Sequence, residues 1–199
     1  TYPNLVSTEG VYGAEWYNNV PTFTDKAARH NATLPFTRNV IGSMDYTPCA
    51  FSDSQHPHIT THAHELALTV LFESGIQHLA DRPESLLDQP EAVRDFLSSL
   101  PTAWDETHLL SGYPGESVVM ARRKGSVWYV AGINGTDEFR TLDFSQLSRY
   151  VKKTSNVKLF LDSSVKRNTP WAIINAGGFD KRGMKTECQP RGGFVIVCK

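Results

Sequence analysis

The sequence predicts an α/β segment followed by an all-β one: the C-terminal part of a (β/α)8 TIM barrel over residues 1–103, then an antiparallel β-sandwich over residues 104–199. Three observations carry this. Short apolar runs alternate with helical patterns in the first half, the strand–loop–helix rhythm of a barrel whose catalytic groups sit where strands end. From about residue 104 the texture changes to short alternating runs at near-even spacing, divided by turn signals. Composition is ordinary for a globular chain of 199 residues, 40% apolar and 21% charged.

Taken in order, "NLVST" and "TRNVIG" read as short strands running into loops, and "TDKAARHN" as a short helix after Pro21. The clearest helix is "ITTHAHELALTVLFESGIQHLA", in which Leu68, Leu71, Phe72, Gly75, Ile76 and Leu79 recur at helical spacing. Thr60 or Thr61 can cap its start, and Pro83 follows its end. "PEAVRDFLSSL" predicts a second helix, with Val93, Phe96, Leu97 and Leu100 on one face. Two strand–helix units cannot close an eight-stranded barrel, so this half reads as the end of a longer one. A small α/β layer of its own is the alternative.

In the second half "RKGS" fits a hairpin turn, with Val119 and Ala121 before it and Val127, Tyr129 and Ala131 after it at period two. "FRTLDF", "NVKLFLDSS", "WAIINAG" and "GFVIVCK" supply further strands, while "WDET" and "GYPGE" read as a domain junction. Cys188 and Cys198 flank the turn "QPRGG", but a simple hairpin there leaves them about three positions out of register, and Cys49 is remote. Three reduced cysteines are expected.

Charge excludes some partners. Twenty basic against 21 acidic side chains give a net charge of −1, with no basic run beyond "ARRKG". A nucleic-acid groove needs a dense positive stripe, so none is expected. No apolar segment approaches the roughly 20 residues of a membrane helix, so no membrane partner is expected either.

Glu9 and Glu15, six apart in "STEGVYGAEW", fit neither a helix face nor a regular strand, and Gly10 and Gly13 let their loop bend sharply. Paired carboxylates are what glycosidic cleavage needs, and they are also a start on a calcium site. A solvated loop with two unrelated charges is the plain alternative. Arg38, Asp45 and Tyr46 offer a forked donor, an acceptor and a ring, groups that line sugar pockets. His56, His58, His62, His64 and Glu65 invite a zinc reading, but no HExxH is present, and polar helix-entry residues are the expectation. Trp128, Tyr129 and Trp171 could stack on sugar rings or fill a sandwich core.

The stretches "TYPNLVSTEGVYGAEW", "LPFTRNVIGSMDYTP", "HELALTVLFESGIQHLAD", "FLSSLPTAWDET" and "GYPGESVVMARRKGSVWYVAGING" together resemble glycoside hydrolase family 97, bacterial exo-acting α-glucosidases and α-galactosidases. The resemblance implies an N-terminal β-sandwich, a central barrel and a C-terminal β-domain, of which this chain is the last part. It assigns Glu9 and Glu15 to a Ca2+ site and makes Glu15 the general acid. It further implies an oligosaccharide or α-glycoside substrate, a periplasmic or secreted location, and room for a homodimer. The remaining metal ligands and the base or nucleophile would lie upstream, so the isolated chain is expected to be inactive. A non-catalytic carbohydrate-binding or oligomerisation module is the competing expectation.

Overall fold

The computed structural model describes residues 4–16, 20–53, 57–151, 156–163, 170–178 and 184–199. Strands β1 (Glu106–Tyr113), β2 (Ser117–Lys124), β3 (Val127–Asn134), β4 (Arg140–Asp143), β5 (Val157–Asp162), β6 (Trp171–Ala176), β7 (Lys185–Cys188) and β8 (Gly193–Cys198) build two sheets. Six form one sheet in the order β1-β2-β3-β8-β5-β6, and β4 pairs with β7, every pairing antiparallel.

The expected hairpin is present. Lys124 faces Val127 across Gly125 and Ser126, and Gly125 takes the left-handed φ of +57° that a two-residue turn requires. Period-two alternation then sorts the central strands. Trp128, Val130, Phe194 and Ile196 face one core, shared with Leu142, Met184 and Cys188 of the small sheet and its flank. Tyr129, Ala131, Ile133, Phe160 and Val195 face the other, which they share with Leu66, Leu68, Val70 and Leu71 of the first half. The sandwich is therefore unequal, six strands against two, and helices pack on the opposite face of the large sheet.

The central helix spans His62–Leu71, and the side chain of Thr61 caps it by accepting from the backbone N–H of His64. It is shorter than its sequence pattern. Phe72 is already extended, so Gly75, Ile76 and Leu79 lie beyond the helix. Two long side chains reach back to its open carbonyls: Gln77 to Thr69 at 2.7 Å, and Arg122 of β2 to Leu71 at 3.0 Å. The Glu91–Ser98 helix forms as expected, with Val93 and Phe96 buried. After Pro21 the chain makes two short helices, Pro21–Thr24 and Ala27–Asn31.

Other expectations are corrected. "TRNVIG" is not a strand, since Arg38–Ile41 is helical. Of "NLVST", only Thr8 pairs, in a single parallel bridge to Met44. That bridge is the one β pairing among the described residues of 4–103, and the helices of this segment pack as a layer on the antiparallel sheet. "WDET" leads into β1, and "GYPGE" closes β1 and makes its turn to β2. Cys188 pairs with Arg140 and Cys198 with Trp128, so the two do not face across one hairpin. All three cysteines are free and buried, as expected for reduced thiols. Burial pushes the thiols of Cys188 and Cys198 up to about 12.

Candidate active-site loop

The glutamate-bearing loop is closed at both ends by one short segment. The backbone N–H of Asp45 donates to Thr8 at 3.0 Å, and that of Ala14 donates to Tyr46, also at 3.0 Å. Residues 8 and 14 are thus fastened to adjacent residues, and Glu9 and Glu15 leave the loop beside its two fastenings. Gly10 supplies a left-handed φ of +60°, and at Gly13 a Cβ would run into the Tyr46 carbonyl. The six-residue spacing is that of a loop returning to its own base.

Glu9 is exposed and Glu15 half-buried. The Glu15 carboxylate accepts a hydrogen bond from the hydroxyl of Thr47. Arg38 is spent on holding the loop: its guanidinium donates to the carbonyls of Thr8 (3.0 Å), Glu9 (3.0 Å), Gly42 (3.2 Å) and Ser43 (3.2 Å). Asp45 pairs with the exposed His78, Nδ1 to Oδ2 at 2.8 Å. Tyr46 is only 1% exposed and packs edge-on to Phe72 at 4.8 Å. Its hydroxyl donates to Asn31, whose amide meets Nε2 of His64 at 3.0 Å. Of the sugar-pocket candidates, Asp45 and Arg38 sit at the loop's base, while the Tyr46 ring lies in the core beneath it.

The histidines serve the fold. His58 Nδ1 lies 2.8 Å from Asp53, His62 stacks on Phe51 at 5.2 Å, and His64 meets Asn31. His56 lies outside the described residues. Among those described, no three His, Cys, Asp or Glu side chains gather to hold a metal. Burial holds His62 down to about 4 and His64 down to about 3, with the neighbouring His58 a smaller cause in both. Both imidazoles are neutral at pH 7 and sit in the first turn of the helix, as the helix-entry reading expected, His62 half-buried and His64 fully buried. Glu65 is fully buried, accepting from Thr60 at 2.5 Å and from the backbone of Ala50 at 3.2 Å.

The helix is tied to the sheet by Asp162. Its carboxylate accepts from the backbone N–H of Ala63 at 3.2 Å and of Gly193 at 3.1 Å. Burial raises it to about 6, against the smaller opposing pull of the Thr61 hydroxyl and the two N–H donors. Trp128 and Tyr129 are buried in the two cores, and Trp171 is held by Gln89 at 3.0 Å. Thr47, Asn31 and Asp162 carry no motif, and sequence reasoning missed all three.

Comparison with known proteins gives this geometry a family. Residues 103–199 match the family described as glycosyl-hydrolase 97 C-terminal, oligomerisation. A curated protein of Streptomyces bingchenggensis named "Probable retaining alpha-galactosidase" is 52% identical over 132 residues, covering 66% of this chain and 20% of its own length. The retaining alpha-galactosidase of Bacteroides thetaiotaomicron is 39% identical over 143 residues, covering 67% and 21%. The chain spans about a fifth of the length of these relatives. Among solved structures, a beta-arabinopyranosidase superposes with a TM-score of 0.82 at 30% identity, over 96% of this chain and 31% of that one. A glycoside hydrolase family 97 enzyme from Pseudoalteromonas sp. strain K8, in complex with panose, superposes with a TM-score of 0.81 at 27% identity, over 100% and 32%. The strands, the helical layer on them and the loop at its edge thus have one common context: the chain belongs to glycoside hydrolase family 97, and residues 103–199 are that family's C-terminal domain.

Proposed function

We propose that the protein carrying this chain is a calcium-dependent, exo-acting retaining α-galactosidase, to which the chain contributes a general acid, Glu15, and a calcium ligand, Glu9. The observation that carries the reading is the closed loop: one short segment, Asp45–Thr47, fastens both ends of the stretch that bears the two carboxylates. Residues 4–103 would then be the last part of the catalytic barrel, the Thr8–Met44 bridge being a remnant of its parallel pairing. The names of two relatives support galactoside over glucoside and retention over inversion.

In that reading Glu15 gives its proton to the glycosidic oxygen as the C1–O bond breaks, and a nucleophile from the rest of the protein takes the anomeric carbon. Glu15, now a carboxylate, accepts a proton from the water that releases the sugar. Glu9 suits a calcium ligand because it is a hard oxygen donor, exposed, on a glycine-bent loop. Calcium wants six to eight oxygens, so residues outside this chain would complete the set. When bound, the ion supplies a fixed positive charge beside the reacting sugar.

Residues 104–199 hold the helical layer and offer an interface to a second copy. The outer strands β1 and β6 leave Leu109, Tyr113 and Ile174 exposed at the sheet margins. The buried Trp128 and Tyr129 present no open ring to a sugar, which favours oligomerisation over carbohydrate binding for this domain.

The test is nitrophenol release from α-galactoside and α-glucoside by the full-length protein, with and without EDTA, alongside the isolated chain. Expected are galactoside turnover that EDTA abolishes and calcium restores, and an inert isolated chain. Turnover indifferent to EDTA would remove calcium from the scheme. Silence on both substrates would remove the activity.

A further inference from the structure

We propose that Thr47 is a positioning residue that sets the Glu15 carboxyl for proton transfer and serves both of its protonation states. The inference rests on the reading of Glu15 as general acid. The Thr47 hydroxyl lies between two acceptors, Oε2 of Glu15 and, at 2.6 Å, the carbonyl of Tyr46. A hydroxyl has one proton and two lone pairs, so it can donate to one of these and not to both. When Glu15 is a carboxylate, the hydroxyl donates to Oε2. When Glu15 carries its proton on Oε1, the same bond persists and keeps that proton on the oxygen that Thr47 does not contact. Should the proton move to Oε2, the hydroxyl can turn to donate to the Tyr46 carbonyl and accept a hydrogen bond from Oε2–H. A rotor of this kind suits a group that acts first as acid and then as base.

The backbone shows that Thr47 is held there against its preference. Its φ is +57°, a left-handed conformation that a β-branched residue rarely adopts, and Pro48 follows it. Residues in such regions persist only where their surroundings over-determine them, and they gather at functional sites. Here the surroundings are visible. Tyr46 is locked below by its hydrogen bond to the fully buried Asn31, which is bonded in turn to the fully buried His64. From above, Gly13 brings its backbone so near that a Cβ would sit 2.8 Å from the Thr47 hydroxyl. Glycine at 13 and the left-handed turn at 47 are two independent features that meet at one carboxyl.

The test compares Thr47→Val, Thr47→Ser and Glu15→Gln in the full-length protein. Each is assayed by kcat/KM on methyl α-galactoside, whose leaving group needs a proton, and on dinitrophenyl α-galactoside, whose leaving group does not. Valine keeps the shape and the β-branch and removes only the hydroxyl. We expect Thr47→Val to lose about tenfold on the methyl glycoside, the worth of one hydrogen bond to a charged group, and almost nothing on the dinitrophenyl one. Serine should restore the loss. Equal loss on both substrates, or loss that serine does not restore, would make Thr47 merely structural and overturn the proposal. If Glu15→Gln is inert on the methyl glycoside while Thr47→Val matches the wild type, the Thr47 inference alone falls. If Glu15→Gln keeps full activity there, the acid assignment falls and takes this inference with it.

Discussion

Gly193 opens β8 directly beneath the first turn of the central helix, and its lack of a side chain sets how closely helix and sheet approach. A Cβ added there would lie 2.7 Å from Cα of His64, 2.9 Å from the Gly132 carbonyl and 3.0 Å from the His64 nitrogen, where ordinary contact begins at 3.4 Å. All three are backbone atoms, so no side chain can swing aside and the helix start must retreat from the sheet. That retreat pulls on Asp162, which accepts from Ala63 on the helix and from Gly193 on the strand. Overpacking of this kind costs about 1–3 kcal/mol, and weakening one of the paired bonds adds roughly 1 kcal/mol. Against it stands a gain of about 0.4–1 kcal/mol, because alanine stiffens the unfolded chain. The net expectation for Gly193→Ala is a loss of about 2–3 kcal/mol, a fall in Tm of roughly 4–12 °C for a domain of this size. Gly177→Ala is the control: nothing lies within 4 Å of its added Cβ, so only the unfolded-chain gain should remain. Thermal melts followed by circular dichroism decide it. A Tm for Gly193→Ala at or above that of Gly177→Ala would refute close backbone approach as the reason for glycine at 193.

Two further outcomes follow from buried charge. Arg122 is 3% exposed, with burial holding its guanidinium down to about 10; it donates to the Leu71 carbonyl, lies over the Trp104 ring at 5.7 Å and is 3.8 Å from Glu73. Arg122→Ala should cost about 2–4 kcal/mol, whereas Arg122→Met, which keeps the stem and removes the buried charge, should recover most of it by denaturant titration; equal losses would contradict this. For pH, the unfolded chain protonates His62 and His64 near 6.5, but the folded chain does so only at about 4 and about 3. Between those values the unfolded state binds more protons, so stability falls as pH falls. Asp162, raised to about 6, opposes this between about 4 and 6, since there the folded state holds the extra proton. The net slope near pH 5 should be about 1–2 kcal/mol per unit, and Asp162→Asn should steepen it; an unchanged slope in urea midpoints would count against the buried carboxyl.

What could be read from the sequence depended on whether burial falls on one face. The β2–β3 hairpin was legible because a glycine turn sits between runs whose alternation survives burial on both faces. Strand β1 was not: only Leu110 along it is buried, and a bulge between Leu109 and Ser111 breaks its period. "TRNVIG" looked like a strand because Val40 and Ile41 favour one, yet both are exposed and the helix runs through them. The central helix was overextended because Ile76 and Leu79 continue its spacing, while "ESG" stops it and the Gln77 and Arg122 side chains close it. At the site, two carboxylates on a glycine loop were visible in the letters. Arg38 was visible as well, but not that its donors are used on loop carbonyls. Nothing in "DYTP" announces a left-handed threonine, because that conformation depends on Gly13 and on the Asn31 partner of Tyr46, both outside the segment.

The change of texture at residue 103 is therefore not a change of core. Leu66, Val70, Tyr129, Ile133 and Val195 belong to a single buried cluster, and the helix that carries His64 sits on β3 and β8. From β8 a chain of close contacts leads to the loop: Gly193 under His64, His64 to Asn31, Asn31 to Tyr46, and Tyr46 to the residue beside Glu15. Each link is buried, and removing one leaves a polar group without its partner in a place water does not reach. The C-terminal sheet is then the floor on which the Glu15 loop is set, in addition to any role it has between copies. A protein cut after residue 103 would lose the surface that keeps His64 neutral and the central helix in place. On the proposed reading of Glu15 as general acid, damage to the sheet should consequently appear as lost turnover before it appears as any loss of assembly.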